Sequence, residues 1–251
     1  MKSPTNPWIY CPQPNPSAKL RLFCFPYAGT GARIFRNWPN QLPKMIEVCA
    51  IKLPGREARI NEKPITKLTT LVEIMTPYLL PYSDKPFAFF GHSMGSLVSF
   101  EVAHQLLKLY GLSPIYLFIS GYRAPQIPDP DPPIHALPES LFIEAIHNLN
   151  GTPPSVLQDD ELMQLLIPIL RADFSILETY IYDKKTLLNC PIIAFGGLND
   201  PEANQQELQA WEQQTSQSFS LKMLQGDHFF IHSEESAILN EIAKYLSQCT
   251  K

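Results

Sequence analysis

Residues 91–95 read Gly91-His92-Ser93-Met94-Gly95. A serine with glycines two positions away on either side is the pattern of a hydroxyl displayed on a tight strand-to-helix turn, where any Cβ at the flanking positions would collide across the turn. Composition alone would produce about 0.03 such matches in a chain of this length, so the match is informative before its surroundings are considered. The chemistry would be nucleophilic attack by Ser93. A serine hydroxyl is a weak nucleophile at neutral pH. It needs a base to take its proton, and the base needs an acid to orient it.

For a nucleophile on this kind of turn the expected chain order is Ser, then Asp or Glu, then His, with both partners on loops that follow late strands. The apolar run 191–196 (PIIAFG) leads into Gly197-Leu198-Asn199-Asp200, and the run 218–224 (SFSLKML) leads into Gln225-Gly226-Asp227-His228. His228 is therefore the expected base and Asp200 the expected acid. Three other carboxylates stay in view: Asp227, next to His228, and Asp129 and Asp131, which follow the run 115–120. Among the other histidines, His92 lies inside the turn and is expected to point away from the Ser93 hydroxyl. His104 and His147 fall in helical segments as partly buried residues, His135 lies in a proline-rich stretch, and His232 reads as structural. The developing negative oxygen needs two backbone N–H donors. Met94, after the nucleophile, supplies one, and Ala28, in the glycine-rich loop Phe25–Gly31, is the best placed for the other.

These residues require a scaffold of buried strands ending near one another. Short apolar runs at 21–25, 47–53, 86–91, 115–120, 191–196 and 218–224 predict strands. Their near-continuous apolar character is that of a parallel sheet covered on both faces. Between them, 68–80, 96–110, 204–215 and 234–247 have helical character. Residues 139–148 and 159–182 are also helical, the second with Leu162, Leu165, Leu166, Ile169, Leu170 and Phe174 on one stripe. They follow the proline-rich segment 125–138 and form an insertion, at about residues 126–185, into a single α/β domain spanning 1–251. Insertions at strand ends often cover active sites. The other proline cluster, Pro4 to Pro16, reads as an extended surface lead-in.

The chain has 251 residues, 45% of them apolar and 18% charged, with a net charge of −4. That composition suits one sizeable core and argues against a dedicated nucleic-acid binder, which would carry a basic excess. No apolar run is long enough to span a membrane, and the N-terminus lacks the apolar stretch of a secretory signal. Cys11, Cys24, Cys49, Cys190 and Cys249 are odd in number and widely spaced. They read as free thiols in a reducing, cytoplasmic setting rather than as zinc ligands or a disulfide framework.

Seven ordered motifs, spread from about residue 20 to 246, resemble those of the type II (stand-alone) thioesterases of nonribosomal-peptide and polyketide synthesis, and of the related medium-chain acyl-carrier thioesterases. They are Pro26-Tyr27-Ala28-Gly29-Thr30, Leu53-Pro54-Gly55-Arg56-Glu57-Ala58-Arg59, the Ser93 turn, Ser120-Gly121-Tyr122-Arg123-Ala124-Pro125, Leu149-Asn150-Gly151-Thr152-Pro153, Leu170-Arg171-Ala172-Asp173-Phe174, and Gly226-Asp227-His228-Phe229-Phe230. Thr30, Asn150 and Asp227 depart from it where the family often has glycine. Asp227 puts a second carboxylate beside the base, a rival to Asp200 for its orientation.

The resemblance implies an α/β-hydrolase fold whose helical insertion is a lid. It implies hydrolysis, without a metal or dissociable cofactor, of acyl groups held as thioesters on the phosphopantetheine arm of a carrier protein. The partner is then an acyl or peptidyl carrier protein; composition has already argued against nucleic acid and membrane, and a monomer is the default expectation for the chain itself. Carrier proteins are usually acidic, so docking would draw on a local basic patch, for which Arg56, Arg59 and Lys63 are candidates; the same residues with Glu57 can equally form a structural loop. Phe229 and Phe230 are expected to pack as core beside the base. Two other readings stand beside this one: a small-molecule carboxylesterase of the same fold, and a non-catalytic interaction module.

Overall fold

The computed structural model describes residues 6–149, 151 and 154–248. Of the features named above, Pro4, Asn150, Thr152, Pro153 and Cys249 lie outside them. The strands are β1 (Ile9–Tyr10), β2 (Leu20–Phe25), β3 (Ile46–Ile51), β4 (Phe87–His92), β5 (Leu117–Ser120), β6 (Ile192–Gly197) and β7 (Phe219–Leu224). The helices are α1 (Leu68–Met75), α2 (Met94–Tyr110), α3 (Glu139–Asn148), α4 (Pro154–Leu157), α5 (Asp160–Glu178), α6 (Gln205–Gln209), α7 (Phe230–Ser233) and α8 (Glu235–Gln248). The strands form one sheet in the order β1-β3-β2-β4-β5-β6-β7. Every pairing is parallel except β1 with β3. This is the α/β-hydrolase arrangement.

Alternation along each strand divides the core in two. Phe23, Phe25, Phe87 and Phe89 point to one face, where α1 and α2 lie on them through Leu71, Met75, Leu97 and Phe100. Leu22, Cys24, Ala88 and Phe90 point to the other, against Phe35, Trp38 and the Ile238, Leu239 and Ile242 stripe of α8. Successive side chains on opposite faces, both covered, explain why the strands read as unbroken apolar runs.

Three elements differ from the sequence reading. The lead-in is not merely a surface strap. Ile9 and Tyr10 pair with Ile51 and Ala50, closing the open edge of β3, and Trp8 is buried beneath the Arg59 guanidinium, 4.2 Å above its ring. The helix expected over 68–80 stops at Met75 and continues as a 3-10 stretch through Tyr82. Pro77 and Pro81 remove the amide donors an α-helix would need there. The segment 204–215 likewise starts as α6, capped by Asn204 and Glu207, and ends as a 3-10 turn.

The insertion lies between β5 and β6. Helices α3 and α5 enclose a small core of their own around Phe142, Ile146, Met163, Ile167 and Leu170, while Ile176, near the end of α5, belongs to the main core. Among the described residues no helix is long and apolar enough to cross a membrane.

His104, on α2, is buried edge-on against Phe100 with ring centroids 4.5 Å apart. Burial, and then the nearby Lys185 charge, lower its pKa to about 4. In the unfolded chain it titrates near 6.5, so below that pH the unfolded state takes up a proton that the folded state refuses. Stability is expected to fall by about 2 kcal/mol as pH drops from about 6.5 to 4 on this account. Urea denaturation across that window should give a shallower pH slope for His104→Gln than for the natural protein.

Candidate active site

Strands β2 and β4 are neighbours, but the chain leaves β2 toward β3 on one side and returns to β4 on the other. Their outgoing loops therefore part and leave a crevice at the carboxyl ends of the strands, where open α/β sheets bind ligands. Ser93 stands at this point, immediately after β4. Its φ of +50° and ψ of −121° lie outside the regions an L-residue ordinarily occupies. Three contacts hold it there. The Ser93 N–H donates to Ser120 O at 2.8 Å. The Ser96 hydroxyl lies 2.8 Å from Gly91 O and accepts the Ser120 N–H at 3.0 Å. The turn itself is packed backbone on backbone: a Cβ on Gly91 would lie 2.1 Å from Gly95 O, and one on Gly95 2.1 Å from Phe25 O. The second of these approaches packs the end of β2 against the Ser93 turn, with Pro26 O, the first loop residue, 2.9 Å from the same point.

Asp200 follows β6 and His228 follows β7, so both reach the same end of the sheet as Ser93. His228 Nδ1 lies 3.1 and 3.0 Å from the two Asp200 carboxylate oxygens. The Asp200 side chain is wholly buried and that of His228 is 13% exposed. Asp200 Oδ1 also accepts the Glu202 N–H at 2.8 Å, which fixes the carboxylate's direction. With Nδ1 turned to Asp200, Nε2 is the nitrogen left to exchange a proton. The His228 ring lies 5.2 Å from that of His92, the residue next to Ser93, so His228 stands beside the Ser93 turn.

The rival groups are placed elsewhere. Asp227 accepts the Phe229 N–H at 2.9 Å. Asp129 pairs with Arg123, and Asp131 is exposed beyond it. His92 is fully buried with Nδ1 2.9 Å from the Ser120 hydroxyl, and burial, followed by the charge of neighbouring His228, holds it well below the usual histidine range. It thus stays neutral beside the base. His135 pairs with Glu178, and His232 Nε2 lies 2.8 Å from the Tyr27 hydroxyl. His147 is exposed on α3 rather than partly buried, because Phe142 and Ile146 take the inward face of that helix.

Met94 opens α2, and a first-turn amide has no intrahelical acceptor. In the loop after β2, the Gly29 N–H donates to Asp173 Oδ2 at 2.8 Å and the Thr30 N–H to Tyr27 O at 3.2 Å. The Ala28 N–H has no acceptor among the described residues. The amides of Met94, at the start of α2, and Ala28, in the loop after β2, are thus among those left uncommitted at the carboxyl ends of β4 and β2.

One pair of alternatives resolves and one expectation needs correction. Of the two readings of Arg56 and Arg59, the structural loop holds and the basic surface patch does not: Arg56 is 6% exposed and forked onto Asp173, and Arg59 is engaged by Glu62, Lys52 O and Trp8. Charged residues read as solvated until a buried partner is found, and Asp173 lies 117 positions away. Phe230 is core, but Phe229 is only partly buried and stands edge-on to His228 at 5.3 Å. Its ring tip lies where a Cβ on Gly151 would be, 2.4 Å away, so it links the base to the insertion. Sequence reasoning passed over Ser96 and Asp173. Their signal was presence in or next to ordered motifs whose role the nucleophile and base did not exhaust. Among the described residues no group of three His, Cys, Asp or Glu side chains could hold a metal ion.

Residues 20–246 match the thioesterase-domain family model. Gramicidin S biosynthesis protein GrsT of Aneurinibacillus migulanus is 47% identical over 244 residues, covering 97% of this chain and 95% of that protein. Linear gramicidin dehydrogenase LgrE of Brevibacillus parabrevis is 45% identical over 235 residues, 92% of this chain and 89% of its own. The type II thioesterase BorB from the borrelidin biosynthetic cluster superposes with a TM-score of 0.88 at 32% identity, covering 98% of this chain and all of that one.

Proposed function

The chain belongs to the thioesterase-domain family and is a thioester hydrolase; we propose that it removes acyl groups from the phosphopantetheine arm of carrier proteins in nonribosomal-peptide or polyketide synthesis, with Ser93, His228 and Asp200 as its catalytic residues. The observation that carries the assignment of residues is the Asp200–His228 pair, buried at the sheet end where Ser93 is held in a strained turn. Relatives and structural neighbours from gramicidin and borrelidin biosynthesis support the setting.

In this reading His228 Nε2 takes the Ser93 proton as Oγ bonds to the thioester carbonyl carbon. The Ala28 and Met94 amides receive the oxyanion. The tetrahedral adduct collapses by breaking the carbon–sulfur bond, and the pantetheine sulfur leaves with the proton from His228. Water, deprotonated by the same imidazole, then attacks the acyl-serine and frees the acid. Asp200 holds the imidazole tautomer and stabilises its charged form. No metal or dissociable cofactor enters these steps. The whole chain acts as one domain and as a monomer, and residues 126–185 act as a lid over the acyl group, which the contact of Phe229 with Gly151 supports.

The dehydrogenase activity in the name of LgrE is not carried over. The Gly29-Thr30-Gly31 loop leads into a four-residue 3-10 turn, Ala32–Phe35, rather than an α-helix. The space beside Gly31 is filled by the Glu57 carboxylate, 2.4 Å from where a Cβ would be, and its charge would repel a dinucleotide's pyrophosphate.

Hydrolysis of acetyl-, hexanoyl- and aminoacyl-phosphopantetheinyl carrier protein tests the proposal. The expected result is turnover of carrier-bound thioesters well above that of p-nitrophenyl esters of the same acids. Fast ester cleavage with inert carrier substrates would make the protein a carboxylesterase, and inertness toward both would make it an interaction module.

A further inference from the structure

The motifs Leu53–Arg59 and Leu170–Phe174 contain none of the groups that act on the thioester, yet they meet in a buried ion pair. Arg56 Nη1 lies 2.6 Å from Asp173 Oδ2, and Nη2 lies 2.7 Å from Oδ1. Asp173 is 1% exposed. Withdrawing two such charges from water costs several kcal/mol per ion, and apolar residues of the same volume usually serve stability as well or better. The pair therefore needs another explanation, and its remaining hydrogen bonds offer one.

Apart from Arg56 Nε, which donates to Pro54 O in its own turn at 3.4 Å, those bonds go to the loop after β2. Asp173 Oδ2 accepts the Gly29 N–H at 2.8 Å, and Arg56 Nη1 donates to Thr30 O at 2.9 Å. Next to Arg56, Glu57 accepts the Ala32 and Arg33 amides at 3.2 and 2.9 Å. Leu170, three residues before Asp173 on α5, fills the space beside Gly29: a Cβ there would meet Leu170 Cδ2 at 2.7 Å. Gly29 takes a φ of +78°, which a side chain would also oppose.

The grip passes to Ala28 through one peptide plane. Thr30, held by Arg56, donates its hydroxyl and its N–H to Tyr27 O at 2.8 and 3.2 Å. In a trans peptide the N–H points opposite to the C=O, so fixing Tyr27 O fixes the direction of the Ala28 N–H.

We propose that Arg56 and Asp173 are positioning residues that aim the Ala28 N–H at the developing oxyanion and tie helix α5 of the insertion to that task. This rests on the reading of Ala28 as an oxyanion donor. Because the aim of a donor matters only where charge develops, its loss is read in the transition state and not in substrate binding.

The test uses Asp173→Asn, the double variant R56M/D173L and R56K, each assayed below its melting temperature with hexanoyl-phosphopantetheinyl carrier protein. Asp173→Asn is expected to lose about 100-fold in kcat, with KM held within about threefold. The double variant removes the buried charges together, so it should melt near the natural temperature and still lose about 100-fold. R56K keeps Asp173 paired with a cation but cannot hold both carboxylate oxygens and Thr30 O, and should lose about tenfold. An alkylboronic acid, captured by the serine as a tetrahedral anion, should bind each variant more weakly in step with kcat. A non-hydrolysable thioether analogue should bind all of them as it binds the natural protein. The proposal is overturned if R56M/D173L or R56K keeps natural kcat, or if boronate and thioether affinities fall alike. Should the double variant not fold, R56K and Asp173→Asn decide. A natural protein inert on the carrier substrate would instead overturn the functional reading beneath it.

Discussion

Ser93→Ala should lower kcat on hexanoyl-phosphopantetheinyl carrier protein by about a million-fold, with carrier affinity unchanged. The variant removes one oxygen from a turn whose geometry does not depend on it. The turn is held by the Ser93 backbone amide, the Ser96 hydroxyl and the Gly91 and Gly95 approaches, and alanine meets the same φ of +50° that serine does. The loss is therefore chemical. Quenched-flow measurement of released hexanoate gives kcat, and binding of the unacylated carrier gives the affinity. Residual turnover near a hundredth of the natural rate would mean that another group attacks the thioester, since oxyanion binding alone leaves far less.

Asp200→Asn should lower kcat by about ten-thousand-fold while leaving the fold intact. Asparagine fits the same buried space and can still accept the Glu202 N–H that Asp200 Oδ1 accepts at 2.8 Å. What changes is the partner offered to His228 Nδ1. An amide NH₂ turned toward the ring would receive a hydrogen bond from nothing and would donate one, favouring the tautomer with its proton on Nε2, where the base must be bare. It would also remove the negative charge that stabilises the imidazolium formed in each step. Asp227→Asn is the control. Its carboxylate serves the Phe229 amide, which an asparagine oxygen can also serve, so kcat should stay within about threefold. If Asp227→Asn is the damaging change and Asp200→Asn is not, the acid has been misassigned.

The strained turn that carries Ser93, the proposed nucleophile, is legible because its constraints are local. Two glycines, a strand before and a helix after are consecutive in the chain, and the strained turn follows from their order alone. The meeting of Asp200 and His228 is legible because each follows directly on an apolar strand. A parallel sheet carries all such loops to one end, so position after a strand stands in for position in space. By the same reasoning Ala28 and Met94 follow neighbouring strands, because β2 pairs with β4.

What the sequence could not decide were matters of partner and exposure. Ile9 and Tyr10 form too short a strand to show periodicity, and only the open edge of β3 gives them a role. Phe229 and Phe230 are identical in type and adjacent, yet the turn into α7 sends Phe230 into the core and Phe229 toward the insertion. Asp129, Asp131, Asp200 and Asp227 all lie on loops after strands, and packing determines that Asp200 meets His228 while Asp129 meets Arg123. Arg56 stays open in the sequence between a surface cation and a structural loop, because an isolated charge belongs in water unless a partner is found. Folding of α5 over the sheet delivers Asp173 to it and turns a solvated group into a buried one. The sequence by itself determined which residue types follow which strands, since that is written in consecutive positions. Only the tertiary structure decided which distant charges and amides meet, because such pairings depend on packing between elements that no local pattern records.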